Sequence, residues 1–289
     1  MPNTLINPAN GHLAFKVYSL HNHDHFDHLQ RLNYYTLILL HEGKGELLVD
    51  FSSYTFEAKH LFAFAPYQPF LFKPEGMFNG EVIHFHPDFF CIHKHHSEVA
   101  CNGVLFNNIY KPPYILIQPE EETRLLKLIG ELKEEMGRPD LAQSELLISY
   151  LKIFLIHCAR IKLAEKPIEV KMAGNPEEPL VLQNLKDAIE IHYKEKHSVN
   201  EYAELLKIPS KTLAKMSKRN FNRTISDLIT ERIVIEAKRE LYLTSKPIKN
   251  IAFDLGFQDE HYFSRYFKNK TETSPQLYRE TVGFARGEA

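Results

Sequence analysis

Histidine is concentrated in the first hundred residues, which hold 12 of the 16 histidines in the chain. Neutral imidazole is a good ligand for zinc, iron, copper and nickel. The segment His23-Asp24-His25 offers a His-x-His pair with Asp27 as the nearest further acid, and a strand would place His21, His23 and His25 on one face. Further histidines follow at His84, His86, His93, His95 and His96. Because a metal site needs a more complete ligand set, surface and pocket histidines are the favoured interpretation, and no metal or other cofactor is expected.

A second chemically distinctive set is cationic and lies near the other end of the chain. Its members repeat the spacings that place side chains on one helix face: Lys211, Lys215 and Lys218, followed by Arg219, and later His261, Arg265 and Lys268. A cationic helix face is suited to contact with DNA, although an ordinary solvated helix can have the same composition. Charge alone leaves these two interpretations open.

Charge divides the 289-residue chain into two unlike parts near Pro179. Residues 180–289 carry 19 basic and 15 acidic side chains, whereas the whole chain carries 35 basic and 37 acidic ones. A basic part joined to an acidic part is a weak sign of nucleic-acid contact in the basic part. The length favours two domains, and a hydrophobic share of 44% excludes a wholly disordered chain.

Several features bear on the cellular compartment. The most apolar segment, Leu146 to Cys158, is interrupted by Lys152, so neither a membrane span nor a membrane partner is expected. The first residues lack the basic and apolar regions of a signal peptide. The three cysteines, Cys91, Cys101 and Cys158, are odd in number and far apart, which argues against a disulfide framework. A cytoplasmic protein is therefore expected.

Residues 12 to about 90 are rich in short apolar runs separated by proline and glycine. These runs predict strands at 34–40, 46–50, 54–56, 61–65, 70–72 and 81–85. The glycine-containing segment His41 to Gly45 predicts a hairpin between the first two strands. Short strands at a spacing of about ten residues are typical of a sandwich or a small barrel, so the N-terminal domain is predicted to be all-β.

Two helices and a linker are predicted after the strands. Pro119 and the three acids that follow it begin a helix that ends near Gly137. A second helix is predicted from about 141 to 163, with an apolar stripe on one side formed by Leu147, Leu151, Phe154 and Leu155. Residues 166–180 are rich in proline and predict a linker. The predicted domains are therefore 1–165 and 181–281.

The chain after the linker predicts only helices. They are expected at 181–196, 199–206, 210–220, 225–243, 248–255, 259–270 and 275–281. Ser198 and Glu201 form the pattern of a capping box at one helix start. A short helix, a tight turn and a second short helix occur twice, at 199–221 and 248–270, as in helix-turn-helix units. The second helix of such a unit enters the DNA major groove.

Helical spacing also predicts which side chains of these two second helices are buried. In the first unit Leu213 and Met216 are expected to face the core. In the second unit the predicted inward residues are aromatic: Tyr262, Phe263, Tyr266 and Phe267. The cationic side chains would then lie on the opposite, exposed faces.

The second unit carries a specific signature. Residues 248–268 read IKNIAFDLGFQDEHYFSRYFK and are followed by Ser274-Pro275 and Tyr278-Arg279. This resembles the signature of AraC/XylS-type transcription regulators, I-x-x-I-A-x-x-x-G-F-x-D-x-x-Y-F-S-R-x-F-K followed by S/T-P-x-x-Y-R. The resemblance covers about 181–281. It implies an all-α domain with two helix-turn-helix units that binds double-stranded DNA with sequence specificity.

Three positions depart from the family pattern. Asn222 and Glu272 stand where the family usually has glycine, and Ser217 stands where it has an aromatic residue. Asparagine adopts a left-handed backbone readily, whereas Glu272 predicts a different helix end. The small polar Ser217 predicts looser packing of the first unit.

The resemblance implies contact residues by their position in the motif. Base contacts would fall on Lys211, Thr212, Ala214 and Lys215 of the first unit and on Glu260, His261, Ser264 and Arg265 of the second. Phosphate contacts would fall on Lys218, Arg219 and Lys268. Arg265 has the chemistry to bond guanine bidentately, and Ala214 to contact a thymine methyl group.

For the N-terminal domain the resemblance implies a cupin-like barrel that senses a small-molecule effector or mediates dimerisation. The effector is unknown, and Phe64, Tyr67, Phe72 and His84 are candidate lining residues. The apolar stripe of the second predicted helix either forms the seam of a homodimer or packs on its own barrel. RNA polymerase is a further expected partner.

The alternative function is a metal-dependent cupin enzyme with a helical appendage. The sequence has no nucleophile–base pair, phosphate loop or paired carboxylates at motif spacing, so no enzymatic activity is expected. Stoichiometric metal in the purified protein would distinguish the two functions. The sequence gives neither the sign of regulation nor the target promoters.

Overall fold

A computed structural model describes residues 4–8, 11–21, 26–50, 52–99, 103–138, 140–165 and 178–283. The chain forms two compact units. The first consists of Met1–Asn108 and Pro112–Glu165, and the second of Ile109–Lys111 and Lys166–Ala289. Most of the predicted linker, residues 166–177, lies outside the described residues.

The first unit is built mainly of strands. Those described are β1 (Thr4–Ile6), β2 (Leu13–Leu20), β3 (Tyr35–Glu42), β4 (Lys44–Val49), β5 (Ser52–Glu57), β6 (His60–Phe64), β7 (Phe70–Pro74), β8 (Asn79–Phe85) and β9 (Tyr114–Leu116). They form one sheet in the order β1-β2-β8-β3-β6-β9 and a second in the order β5-β4-β7. Every pairing is antiparallel, and the predicted all-β N-terminal domain is confirmed.

The predicted hairpin at His41 to Gly45 is wrong. Strand β3 pairs with β6 and β8, whereas β4 pairs with β5 and β7, so the chain passes from one sheet to the other. Gly43 and Gly45 have φ of +135° and +156°, a range that side chains disfavour. A Cβ at Gly45 would also overlap the carbonyl oxygen of Lys73. The two glycines therefore allow the chain to change sheets.

The space between the two sheets is filled with aromatic side chains. Phe62 and Phe64 of β6 meet Phe70 and Phe72 of β7. The rings of Phe64 and Phe70 stack with centroids 3.9 Å apart, and those of Phe62 and Phe72 meet edge to face at 5.0 Å. Each such pair contributes about 0.5–1.5 kcal/mol beyond its buried area. The candidate lining residues Phe64 and Phe72 are thus buried in this aromatic core.

A helix pair covers the other face of the six-stranded sheet. It consists of α2 (Pro119–Gly137) and α3 (Gln143–Ala164), preceded by the short α1 (His96–Val99). The apolar stripe of α3, which comprises Leu147, Leu151, Phe154 and Leu155, is at most 1% exposed. It packs into one core with the sheet residues Phe15, Leu37 and Phe85. Of the two alternatives for this stripe, packing on its own domain is therefore the one observed.

The second unit is helical. Its helices are α4 (Glu178–His192), α5 (Val199–Leu206), α6 (Ser210–Phe221), α7 (Ile225–Leu243), α8 (Ile248–Asp254), α9 (Glu260–Thr271) and α10 (Pro275–Val282). Helices α5 and α7 have the predicted bounds, and no bound of the other helices differs from its prediction by more than four residues. The predicted two-domain fold class is confirmed. No helix among the described residues is long and apolar enough to cross a bilayer.

Side-chain caps explain why these helices begin where they do. The Ser198 hydroxyl accepts the Glu201 N–H, and the Glu201 carboxylate accepts the Ser198 N–H at 2.9 Å, which forms the predicted capping box of α5. Thr224 and Asp227 form the same arrangement at α7. These bonds satisfy backbone N–H groups that a helix start leaves unpaired.

Helix α7 joins the two helix-turn-helix units and spans about 28 Å at 1.5 Å per residue. Arg232 of α7 donates to Glu190 of α4 at 2.7 Å and to Glu236 at 3.1 Å. Its guanidinium lies 4.0 Å from the ring centre of Tyr193. Burial opposes the ionisation of Glu236, but Arg239 and Arg232 outweigh it and lower its pKa. The network fixes α4 against α7 through charged, hydrogen-bonded contacts.

Candidate nucleic-acid interface

The first helix-turn-helix unit consists of α5 and α6. Lys207 ends α5 in a left-handed conformation with φ of +56°, and α6 starts after Pro209, which provides no side-chain cap. Leu213 is completely buried, as predicted, whereas Met216 is only half-buried. Leu213 anchors α6 in the unit and leaves the other side of the helix open to solvent.

The exposed side of α6 carries all the contact residues predicted for the first unit. Each of them is exposed: Lys211, Thr212, Ala214, Lys215, Lys218 and Arg219. The Lys218 ammonium donates to the carbonyl oxygen of Asn222 at 3.3 Å. Helix α6 contains no acidic residue. This face is therefore cationic over its full length, as contact with phosphates requires.

The second unit consists of α8 and α9, and its turn depends on Gly256. Gly256 has φ of +84°, and a Cβ there would overlap the carbonyl oxygen of Lys194. Asp259 caps α9 by accepting the Tyr262 N–H at 2.6 Å. Phe263 and Phe267 are completely buried, and Phe257 lies 5.2 Å from Phe263 between ring centroids. These contacts hold α9 in one orientation.

The outer side of α9 brings together the contact residues predicted for the second unit. His261, Arg265 and Lys268 are exposed, whereas Glu260 and Ser264 are half-buried. Glu260 lies in the first turn, where the helix dipole favours an acid. Arg265 forms no hydrogen bond or ion pair with any residue that the structure describes. Its guanidinium is available to a base or a phosphate.

The prediction that Tyr262 faces inward is wrong, because its side chain is 54% exposed. Tyr266 is half-buried, and burial raises its pKa to about 12. Tyr262 is equivalent to Thr212, since corresponding residues of the two units lie 50 positions apart. Thr212 is a predicted base contact, so Tyr262 joins the candidate residues. Comparison of the two units in the sequence would have identified it.

The two second helices end in the same way despite their different residues. Asn222 and Glu272 both have φ of +56°. The prediction that the helix ends differently at Glu272 is therefore wrong. The Glu272 N–H donates to the Lys268 carbonyl oxygen at 2.7 Å, which closes the last turn of α9. The closed end of α9 imposes a left-handed conformation on residue 272, and this conformation is strained for glutamate.

Ser217 replaces a ring contact with a hydrogen bond. It is completely buried, and its hydroxyl donates to the Arg223 carbonyl oxygen at 2.9 Å. The Arg223 side chain is itself buried and forms an ion pair with Glu231 of α7. The core of the first unit therefore relies on polar contacts at the position where the second unit has Phe267.

Two residues of the signature have structural roles. The ring of Tyr278 meets that of Phe267 edge to face at 5.7 Å. The Arg279 guanidinium donates to the carbonyl oxygens of Leu241 at 3.1 Å and Lys246 at 2.8 Å. Arg279 thus joins α10 to the end of α7, where unpaired carbonyl groups need partners.

A polar cluster lies on the face of the six-stranded sheet that meets the aromatic core. His84 is buried, and its Nδ1 lies 3.0 Å from the Thr36 hydroxyl and its Nε2 3.2 Å from the Tyr18 hydroxyl. The Tyr34 ring centre lies 4.6 Å from that of His84. Burial raises the pKa of both phenols, so they remain protonated donors at neutral pH. The Lys16 ammonium is 4.4 Å from the Tyr18 ring centre.

Of the three histidines predicted to share one strand face, His21 is the one that the structure describes. His21 follows the end of β2 at Leu20, so it does not lie in a strand, and residues 22–25 lie outside the described residues. His86 is buried, and its Nδ1 accepts the Asp88 N–H at 3.2 Å. Within the described ranges, no three His, Cys, Asp or Glu side chains are grouped as metal ligands. Cys101 is also outside those ranges.

The sequence comparisons with known families and proteins concern the C-terminal compact unit, which contains both helix-turn-helix units. Residues 202–281 match the family described as "Helix-turn-helix domain". The HTH-type transcriptional activator RhaS of Mannheimia succiniciproducens is 33% identical over 91 residues, which are 32% of this chain and 34% of RhaS. The regulatory protein SoxS of Escherichia coli is 29% identical over 102 residues, 35% of this chain and 95% of SoxS.

Among the similar solved structures, one covers most of the length of this chain. The crystal structure of ToxT from Vibrio cholerae covers 93% of this chain and 98% of ToxT, with 15% identity and a TM-score of 0.40. The C-terminal domain of the response regulator yesN from Fusobacterium nucleatum covers 35% of this chain and 98% of that domain, with 28% identity and a TM-score of 0.33. The chain spans about a third of the length of RhaS.

Proposed function

We propose that this chain is a sequence-specific DNA-binding transcriptional regulator, and we proceed from the premise that residues 202–281 belong to the AraC/XylS family of helix-turn-helix domains. One observation carries the proposal. Helices α6 and α9 lie at equivalent positions of two repeated units, and each presents cationic side chains to solvent. Second helices with this exposure enter major grooves.

The proposed binding mode uses both units of one chain. Consecutive major grooves on one side of B-DNA are about 34 Å apart. Helix α7, about 28 Å long, lies between the two units in the chain and gives them a rigid connection. A single chain would then contact two successive grooves, with α6 in one and α9 in the next.

The contact residues divide between bases and phosphates. The proposed base contacts are Lys211, Thr212, Ala214 and Lys215 on α6 and Glu260, His261, Ser264 and Arg265 on α9, to which the exposure of Tyr262 adds one more. The proposed phosphate contacts are Lys218, Arg219 and Lys268. Phosphate contacts release counterions, so binding is expected to weaken steeply as salt is raised.

The N-terminal compact unit is proposed to sense a small-molecule effector at the polar cluster around His84. The aromatic core fills the space between the sheets, whereas Tyr18 and Tyr34 beside His84 are only half-buried. A ligand that offers hydrogen-bond acceptors would bind there. It would change DNA binding only to the extent that its affinity differs between two arrangements of the protein.

The effector site is testable without knowledge of the effector. A small-molecule extract of the source cells should change the affinity of the wild-type protein for its DNA site. Tyr34→Phe removes one hydroxyl and keeps the ring, so the response should shift to higher extract concentrations while affinity without extract stays the same. An unchanged response would place the effector elsewhere.

A second copy of this chain and RNA polymerase complete the proposed partners. Because the inner stripe of α3 is buried, a dimer contact on this helix would use its outer residues Leu146 and Ile153, which are 41% and 42% exposed. Activation is the proposed sign of regulation, since RhaS is described as an activator. Sedimentation of Ile153→Glu beside the wild type tests the dimer contact.

The DNA-binding function is tested by selection of genomic fragments with the purified full chain, followed by sequencing. Enrichment of a few sites with half-sites about ten base pairs apart is expected. The matched control is the double variant Lys215→Ala and Arg265→Ala, which keeps both helix cores and should enrich no site. Equal enrichment by the wild type and the double variant, or none by the wild type at low salt, would overturn the proposal.

A further inference from the structure

A groove of about 230 Å³ lies between α2 and α3 of the N-terminal compact unit. Its apolar lining residues are Leu125, Ile161 and Ala164. Its titratable lining residues are Glu121, Arg124, His157 and Arg160. The groove therefore combines an apolar part with three basic side chains contributed by two helices.

The two groove arginines have no partner among the described residues, neither by hydrogen bond nor by ion pair. Most other described arginines are engaged, as Arg138 is with Glu134 at 2.9 Å and Arg232 with Glu190 at 2.7 Å. Arg265 shares this property with the groove arginines and lies on the proposed DNA-binding face. Among the described residues, arginines without a partner therefore occur in two places, on the proposed DNA-binding face and in this groove.

The lining of the groove carries a net positive charge, because it contains two arginines and one acid. Burial, together with the charges of Arg124 and Arg160, lowers the pKa of His157. Glu121 is the acidic lining residue, and its carboxylate accepts the Gln118 N–H at 3.2 Å in the capping of α2. Its charge is therefore directed at the helix start rather than at the arginines.

We propose that this groove binds the phosphate group of a small phosphorylated molecule. Two guanidinium groups supply several N–H donors in fixed, planar arrangements that match phosphate oxygens. His157 is held neutral without the ligand and gains a favourable partner when a dianion arrives. The volume lies below the roughly 300–1,000 Å³ of pockets for drug-sized ligands, which favours a small compound. Ile161 and Ala164 would contact its carbon skeleton.

Titration of the full chain with defined anions tests the proposal. The probes are inorganic phosphate, glycerol 3-phosphate and acetate at constant ionic strength, and the readouts are calorimetry and the ring signals of His157 by NMR. Saturable binding of a phosphate probe below about 10 mM is expected, with acetate at least about tenfold weaker. Tighter binding of glycerol 3-phosphate would indicate an organic phosphate, and equal binding would indicate the free ion.

Two variants place the binding in the groove. Arg124→Gln and Arg160→Gln should each weaken phosphate binding by about tenfold or more. Arg138→Gln is the matched control, since it makes the same change at the C-terminal end of α2, about 21 Å from Arg124 along the helix axis. Circular dichroism verifies that each variant is folded. If a glutamine variant fails to fold, Arg124→Lys or Arg160→Lys replaces it. Lysine keeps the charge but lacks the planar guanidinium, so these variants should also bind phosphate measurably more weakly than the wild type.

The outcomes are decisive and independent of the proposed DNA binding. The His157 signals must move with the phosphate titration, and the movement must persist in the double variant Lys215→Ala and Arg265→Ala. Saturable binding that leaves the His157 signals unchanged, binding unaltered by both groove variants, or no saturation at about 10 mM would overturn the proposal.

Discussion

The two helix-turn-helix units share one backbone plan and differ in what holds them together. Lys215 and Arg265 occupy equivalent positions 50 residues apart, and so do Asn222 and Glu272, which share φ of +56°. Thr224 and Ser274 both cap the helix that follows. The repeated geometry is therefore set by helix ends and turns, which tolerate different side chains.

The cores of the two units are built differently. In the second unit Phe257, Phe263, Phe267 and Tyr278 form a continuous series of ring contacts. In the first unit Ser217 occupies the position of Phe267 and bonds the Arg223 carbonyl oxygen. The rigidity of α9 comes from buried aromatic area, whereas that of α6 depends more on hydrogen bonds.

The solvent-exposed faces of α6 and α9 differ in charge. Helix α6 carries four cations and no acid, whereas α9 has Glu260 in its first turn and Asp259 as its cap. Helix α6, which is strongly cationic and whose core contacts depend more on hydrogen bonds, is suited to sequence-independent attraction to phosphates. Helix α9, which is held by aromatic rings and carries one unpartnered arginine, is suited to base recognition. The comparison predicts that the first helix-turn-helix unit contributes more of the affinity and the second more of the specificity.

The largest expected effect concerns the equivalent core positions. Phe267→Ala should lower the free energy of unfolding by about 3–5 kcal/mol, because it leaves a cavity among buried rings. Ser217→Ala should lower it by only about 1 kcal/mol, the net worth of one hydrogen bond. Urea unfolding of the full chain followed by circular dichroism measures both. Equal losses would show that the two cores are equally packed.

The next effect concerns DNA recognition. Arg265→Ala should weaken binding to the selected site by about 1–3 kcal/mol and leave binding to unrelated DNA nearly unchanged. Lys218→Ala, at a proposed phosphate contact of the first helix-turn-helix unit, should weaken both to a similar degree and reduce the salt slope by about one phosphate contact. Fluorescence anisotropy with both DNAs at several salt concentrations separates these outcomes. A uniform loss for Arg265→Ala would refute the proposed division between the units.

A smaller effect concerns the starts of the two second helices. Asp259→Ala removes the bond to the Tyr262 N–H and should cost about 1 kcal/mol of stability, whereas Asp259→Asn should retain most of it. Pro209→Ala removes no side-chain cap at α6 and should cost less. Thermal unfolding compares the three variants. A larger loss from Pro209→Ala would show that α6 depends on its start as much as α9 does.

The smallest effect is a gain in stability. Glu272→Gly should raise the free energy of unfolding by about 0.5–1 kcal/mol, because relief of about 1–2 kcal/mol of left-handed strain exceeds the extra chain entropy that glycine gives the unfolded state. Asn222→Gly should gain less, since asparagine already tolerates it. Parallel unfolding curves test the ranking. Destabilisation by Glu272→Gly would mean that the Glu272 side chain makes a contact worth more than the strain.

Local signals in the sequence were sufficient for the helices and the signature. Pro119, the capping box at Ser198 and the apolar spacing of α7 fix helix starts within a few residues because the bonds involved are local. The change of sheet at Gly43 was not predictable, since it depends on which distant strands pair with β3 and β4. Long-range pairing leaves little trace in a local pattern.

Two features of the candidate sites were missed for similar reasons. The exposure of Tyr262 depends on how Phe257 and Phe263 fill the core beneath it, which helical spacing alone does not specify. Arg124 and Arg160 are far apart in the chain, and only the packing of α2 on α3 brings them to one groove. Side chains meet across elements according to packing, and the sequence reveals that packing only where a family signature encodes it.

A hydroxyl-radical footprint of the full chain on its selected site tests most directly whether both units contact DNA. Two protected segments about ten base pairs apart on one side of the duplex are predicted. Lys215→Ala should weaken protection of one segment, and Arg265→Ala that of the other. A single protected segment, or the same segment weakened by both variants, would contradict the binding of two successive grooves by one chain.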